Sequence, residues 1–337
     1  MFSDLSKGRV LTVGFSPDGK FVAAGTAGGE IFVWDISTQG LLTTDTERPI
    51  SKLAFSPDST LLAAESRDEI SLFDVIGLRK VEPSLKVKSK FSRSLAFDQE
   101  GKTLASAGEG KIILWDVASH QRVGSLPNGI SSEEVLTMPE PIENLFFSPD
   151  RETLLSVDRF GTFDVWDLAS HKKLDSPVAP NFFSPQSVFS ADGKLWIAGD
   201  QNSIILWDIA AGKQFGSALR GHTSTSYALA ISPDTKMLAS GAEDGTIILW
   251  DITRQQRIGP ILKGHQRRIS SMSFGPDGKT LISGSDDETV VLWNLDQEYW
   301  QKLACGIANR NLTLDEWKRY FGDEPYHKTC PKLRESQ

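Results

Sequence analysis

Short apolar runs alternate with polar turns along most of the chain, and seven of these runs end on the same kind of pair: Trp34-Asp35, Phe73-Asp74, Trp115-Asp116, Trp166-Asp167, Trp207-Asp208, Trp250-Asp251 and Trp293-Asn294. Successive pairs stand 39, 42, 51, 41, 43 and 43 residues apart. This interval fits a four-stranded antiparallel sheet and not a helical hairpin repeat. One such sheet cannot bury both of its faces. Copies stacked around an axis cover one another, and closing the ring hides their edges.

The sixth unit shows the pattern most clearly. Gly221-His222 is followed by an apolar run from Tyr227 to Ile231, the turn Ser232-Pro233-Asp234, a second run from Lys236 to Ser240, the turn Asp244-Gly245, and a third run from Ile247 to Asp251. Gln256 to Leu262 then supplies a fourth strand. The Ser-Pro-Asp turn recurs at Ser16, Ser56 and Ser148, and in altered form at Gly275-Pro276-Asp277. Proline fixes the backbone there, where no ladder hydrogen bond is needed.

With these motifs the chain resembles the WD40 repeat family, and the resemblance implies an all-β, seven-bladed propeller. Each ideal blade of that family joins a His, a Ser or Thr, an Asp and a Trp in one hydrogen-bonded set. His222, Ser240, Asp244 and Trp250 match it here, as do His265, Ser283, Asp287 and Trp293. A Ser-His-Asp combination also invites a hydrolytic reading. The resemblance makes the set structural, a satisfied network that stiffens a blade. The first five blades depart from the pattern: none has the Gly-His pair, Phe73 replaces Trp in the second, the third is one residue short between Ser106 and Trp115, and counting places Ile197 at the hydroxyl position of the fifth.

The seven units consume residues 1–295 of the 337, leaving 296–337 as a carboxy-terminal extension too short for a second independent core. Helical spacing at Trp300, Leu303, Ala304 and Ile307, and a capping box from Thr313 to Glu316 ahead of Trp317 and Phe321, predict two short helices packed on the propeller. If the first of these is helical, blade seven needs an outer strand from elsewhere. Met1 to Leu5 is a short candidate, and residues of a longer parent chain are another. The longest interval carries an insertion from Pro127 to Glu143 that reads as a loop, either a spacer or a recognition element.

Composition narrows the function classes. A formal net charge of -8 disfavours general nucleic-acid binding, which needs a clustered positive surface. Arg79, Lys80, Lys86, Lys88 and Lys90 read as the wet face of an outer strand or as a local phosphate-binding stripe. No run of eighteen apolar residues is present and Met1-Phe2-Ser3-Asp4 has no signal-peptide pattern, so neither membrane insertion nor secretion is expected. Two cysteines, Cys305 and Cys330, suit a reducing, cytoplasmic setting, although one bridge between them remains open. With His327 they would make at most three zinc ligands, against free or packed thiols as the alternative. Neither a phosphate loop nor a metal motif is recognisable, and neither a cofactor nor an enzymatic activity is expected.

Recognition of a protein partner is the expected function. Aligning the first strand of each blade places Arg9, Pro49, Phe91, Pro141, Phe183, Thr225 and Arg268 at equivalent entry positions. Arg9, Phe91, Phe183, Thr225 and Arg268 are the candidate protein-binding residues, because Phe and Arg anchor interfaces when a partner excludes water. A register slip of one residue would instead put Phe91 and Phe183 in the core. The tail run from Ala304 to Thr313, with Glu316-Trp317, Tyr320, Asp323-Glu324-Pro325-Tyr326 and Thr329-Cys330-Pro331, resembles the ending of large bacterial proteins in which WD40 repeats follow an NTPase module and an effector domain. That resemblance implies a ligand-sensing role in signalling or antiviral defence, with covalently linked NTPase and effector domains as partners. A standalone assembly scaffold is the alternative, and an enzyme using the central channel a third reading.

Overall fold

Hydrogen-bonded turns set the first corner of each sheet. Ser16 Oγ donates to Asp18 Oδ1 at 2.7 Å and accepts from Phe21 N at 2.9 Å, closing the hairpin between Val10–Phe15 and Phe21–Thr26. Ser56 and Asp58, Ser190 and Asp192, and Ser232 and Asp234 repeat it at 2.6, 2.6 and 2.7 Å, and Ser148 donates likewise to Asp150. In the seventh copy Thr280 Oγ1 donates to Asp277 at 2.9 Å, and a Cβ on Gly275 would stand 2.1 Å from that hydroxyl. The threonine therefore fills the space a serine would need.

The aspartate of each Trp-Asp pair makes a later corner. Asp35 Oδ1 accepts from Ser37 N at 2.8 Å, Ser37 Oγ at 2.7 Å and Thr38 N at 3.0 Å, turning the chain from Glu30–Asp35 into Leu41–Asp45. Asp116, Asp167 and Asp251 do the same for Ser119, Ser170 and Arg254. These bonds hold the four carboxyls below their usual range.

The computed structural model describes residues 8–87, 94–108, 111–127, 142–158, 161–174, 187–200, 202–296, 311 and 313. They form seven antiparallel sheets, each a meander in chain order. The innermost strands are Val10–Phe15, Lys52–Phe55, Leu95–Phe97, Ile142–Phe147, Ser187–Phe189, Ser226–Ile231 and Ile269–Phe274. Each packs beside the inner strands of both flanking blades, and the last lies beside the first, which closes the ring. All of these inner strands belong to the first of two compact units, Met1–Leu292 and Trp293–Gln337. Among the described residues there is no helix, and the expected tail helices lie outside them.

The core sits between blades. Ala23, Ile31 and Val33 of blade one meet Ile50, Leu53, Leu62 and Phe73 of blade two, and Val10, Val22 and Trp34 of blade one meet Ile282 and Val290 of blade seven. Burying each of these aliphatic or aromatic side chains contributes about 1.5–3 kcal/mol. The second strands of blades one, six and seven carry Gly25, Gly241 and Gly284, where an added Cβ would come within 2.5, 2.6 and 2.5 Å of Ile50, Ile269 and Val10. Each glycine thus admits the branched residue that opens the next blade's inner strand.

Short polar side chains pin the inner strands together. Leu53 N donates to Thr12 Oγ1 at 3.3 Å, Val13 N to Ser271 Oγ at 3.1 Å, and Asn144 Nδ2 to Ser187 O at 2.7 Å. At the seam of the ring Ser270 Oγ also donates to Val10 O at 2.6 Å.

Three details differ from the sequence expectation. The insertion is shorter than Pro127 to Glu143, since Gln121–Pro127 is an outer strand and Ile142–Phe147 an inner one, and 128–141 lie outside the described residues. The outer strand of blade five is split into Lys213–Gln214 and Leu219–Arg220, both paired with Ser203–Asp208. Blade seven has three strands among the described residues, and Met1 to Lys7, to which an outer strand was assigned, lie outside them.

Candidate recognition face

Two arginines meet at the seam between blades seven and one because each precedes the inner strand of its blade. Arg268 Nη2 lies 3.1 Å from Asp286 Oδ2, and Arg9 Nη1 lies 3.9 Å from the same oxygen. Asp286 follows the second strand of blade seven, and its backbone N donates to Arg268 O at 3.0 Å, so the carboxylate is held in place by its own main chain. The Arg268 guanidinium lies 4.9 Å from the centre of the Tyr227 ring of blade six, a cation–π arrangement. Three blades thus contribute to one cluster with two cations and one carboxylate. The Arg9 side chain is 54% exposed and that of Arg268 33%, whereas Asp286 is largely covered at 15%.

Thr225, two residues before Tyr227, is half-buried and accepts from Glu243 N through its carbonyl at 3.0 Å. It shares the strand-entry end with Arg9 and Arg268. Phe91 and Phe183 lie outside the described residues. Asp286 and Tyr227 were not singled out from the sequence. Their only signals are a carboxylate in a turn between strands and an aromatic one position inside an inner strand, both common in such sheets.

In blade six Trp250 Nε1 donates to Ser240 Oγ at 2.7 Å, and His222 Nε2 lies 2.7 Å from the same oxygen. Asp244 turns away to accept from Thr246 Oγ1 at 2.6 Å and Thr223 Oγ1 at 3.3 Å, leaving buried His222 Nδ1 without a partner among the described residues. In blade seven the relay runs further: His265 Nε2 is 2.7 Å from Ser283 Oγ, and His265 Nδ1 is 3.0 Å from Asp287 Oδ2. Trp293 ends that blade's third strand. Burial pushes both imidazoles below their usual pKa, against the opposing pull of Asp244 and Asp287. Burial also works against the Asp287 carboxylate, but Thr289, the Gln266 amide and His265 hold it below its usual range. The serines are buried beneath tryptophans in these networks, so a hydrolytic role has no accessible nucleophile here.

Trp115 and Trp166 find Ser106 and Ser156 in the same way, each at 2.9 Å. Blade five does not follow the count that put Ile197 at this position. Ser106 pairs with Ile113 and Ser240 with Ile248, each two residues before its tryptophan; in blade five the corresponding Ile205 pairs with Ala198. The hairpin of blade five is one residue short, like that of blade three, so the hydroxyl position holds Ala198. The buried Trp207 Nε1 has no partner among the described residues.

Among the described residues no group of three or more His, Cys, Asp and Glu could hold a metal ion. Cys305, His327 and Cys330 lie outside them. No helix among the described residues is long and apolar enough to cross a membrane.

The family model "WD domain, G-beta repeat" matches residues 4–35, 84–116, 213–251 and 257–294. Among curated proteins the chain is similar to the periodic tryptophan protein 2 homolog of Dictyostelium discoideum, 27% identical over 198 residues that cover 55% of this chain and 20% of that protein. It is also similar to the human serine-threonine kinase receptor-associated protein, 26% identical over 248 residues covering 71% and 65%, and to the target of rapamycin complex subunit wat1 of Schizosaccharomyces pombe, 27% identical over 207 residues covering 58% and 62%. The match therefore spans less than two thirds of each of these relatives. The repeats, the seven sheets and the closed ring of inner strands together make this chain a seven-bladed WD40 propeller.

Proposed function

We propose that the chain is a protein-recognition scaffold that binds its partner at the strand-entry end of blades six, seven and one. The observation that carries this reading is the sharing of Asp286 by Arg9 and Arg268, with Tyr227 beneath the second guanidinium. Two cations around one carboxylate leave positive charge unmatched at an accessible, preorganised site, and Arg and Tyr are the residue types that dominate interface energetics. The names of two relatives, a receptor-associated protein and a complex subunit, support assembly with other proteins.

The test is capture by the full chain, from lysate of the source cell, compared with Arg9→Ala and Arg268→Ala variants. A partner held by the native chain and lost with both variants supports the site; a partner retained by both moves recognition elsewhere on the ring. A second reading, ligand sensing on behalf of linked NTPase and effector domains in bacterial signalling or defence, draws on the tail run from Ala304 to Pro331, which lies outside the described residues. It requires those domains to be encoded upstream in the same polypeptide, and sequencing the full transcript decides it.

A further inference from the structure

Blade two breaks a rule that its neighbours keep. Blades one, four and seven place Thr12, Asn144 and Ser271 at one equivalent inner-strand position, where each hydrogen-bonds the next blade's inner strand. Blade two has Lys52 there. The residue paired across the strands from Thr12 and Ser271 is glycine, Gly25 and Gly284; across from Lys52 it is Glu65. Glu65 is only 1% exposed, and its Oε2 accepts from Ser94 N of blade three at 3.1 Å. The strand-pinning task has thus passed from the inner strand to the second strand, and Lys52 is released from it.

Lys52 lines a cavity of about 420 Å³ between the inner strands. Asn144 and Ser271 contribute polar groups to the wall, while Phe15, Phe55 and Phe189 make much of the rest apolar. Among the described residues the Lys52 ammonium has no direct ion pair, and Glu65 and Glu143 act on it only at longer range. Burial outweighs both carboxylates and holds the amine below its usual pKa, so its positive charge is incompletely compensated.

We propose that this cavity binds a carboxylate carried on an apolar body, with the Lys52 ammonium as its counter-ion. The volume lies in the ordinary range for small-molecule sites, and an apolar wall with few polar groups is their usual make-up. A carboxylate at Lys52 Nζ forms a charge-assisted hydrogen bond, stronger in a water-poor channel than on the surface. The same chemistry can arrive as a free organic acid or as the Asp or Glu side chain of a protein loop entering the channel.

Calorimetry on the full chain, with phenylacetate as the free acid and an end-blocked Phe-Glu-Phe tripeptide as the second arm, tests the site and its source. Binding of either probe, weakened about tenfold or more by Lys52→Met and absent for uncharged phenylacetamide, is the expected result. Binding of phenylacetate alone assigns a small acid, and binding of the peptide alone assigns an acidic side chain. Binding of neither, or equal binding to the Lys52→Met variant, overturns the proposal. Should that variant fail to fold, the native chain with isotope-labelled methyl groups on its lysines gives a second reading by NMR. The Lys52 signal should titrate at higher pH once the carboxylate is bound, and an unmoved signal overturns the proposal. The site is separate from the seam of blades seven and one, so Arg9→Ala and Arg268→Ala leave phenylacetate binding unchanged.

Discussion

The carboxamide of Gln255 lies directly against Gly216: an added Cβ on the glycine would stand 1.7 Å from Gln255 Nε2. The contact fills the break in the outer strand of blade five, where Gln255 Nε2 donates to Phe215 O and Oε1 accepts from Ser217 N, both at 2.9 Å. One side chain from blade six thus supplies both a donor and an acceptor to the interrupted strand.

Gln255→Ala removes two exposed hydrogen bonds and should cost about 1 kcal/mol. Gly216→Ala adds a clash to a backbone at φ +68, and should cost about 2 kcal/mol. Because the clash is with Gln255 itself, the double variant should be more stable than the sum of the single losses implies. Urea denaturation of the four chains checks this, and simple additivity would show that the carboxamide does not occupy this place in solution.

Trp207 offers a gain of stability. Ala198→Ser puts a hydroxyl at the position that Ser106, Ser156 and Ser240 hold opposite their tryptophans, and should stabilise the chain by about 1 kcal/mol. Ser240→Ala strands both Trp250 Nε1 and His222 Nε2 and should cost about 3 kcal/mol. Thermal midpoints of the two variants should move in opposite directions.

Gly275→Ser restores the turn sequence of the other blades but should destabilise blade seven by about 1–3 kcal/mol, since its Cβ would run into Thr280 Oγ1. Adding Thr280→Ala should recover part of that loss. Recovery is read as the shift in urea midpoint between the single and double variants.

Acid should weaken the fold before the carboxylates titrate. The buried imidazoles of His222 and His265 have pKa values below the ordinary 6.5. Between those lowered values and 6.5 the unfolded chain binds more protons than the native one, so stability falls as pH drops through that window and is fully present above it. Unfolding free energies measured at about pH 7.5 and 5.5 should differ, and His265→Gln should shrink the difference. An unchanged slope would assign the acid sensitivity to other groups.

The repeat was legible because one short motif, Trp-Asp with a Ser-Pro-Asp turn before it, encodes two corners of every blade through local side-chain to backbone bonds. Such bonds need only near neighbours in the chain. Ala198 was misplaced because the blade five hairpin lost a residue, and hairpin length is fixed by strand register, not by composition. Arg9 and Arg268 could be picked out by alignment, but their shared carboxylate could not: Arg9 and Asp286 lie at opposite ends of the sequence and meet only through closure of the ring. Lys52 escaped notice for a related reason. Its oddity appears only when the inner strands are superposed and Gly25 and Gly284 are compared with Glu65.

Val13 and Ser271 are hydrogen-bonded across 258 intervening positions, and Val10 and Ser270 across 260. Such remote pairs carry the largest loop-closure entropy in the molecule, and they can form only after almost the whole chain has left the ribosome. Until then the flank of blade one that receives Ile282 and Val290 is bare hydrocarbon. Synthesis therefore passes through a long period in which a nearly finished ring has two sticky ends, and the race between their meeting each other and meeting another nascent chain sets the yield of native protein.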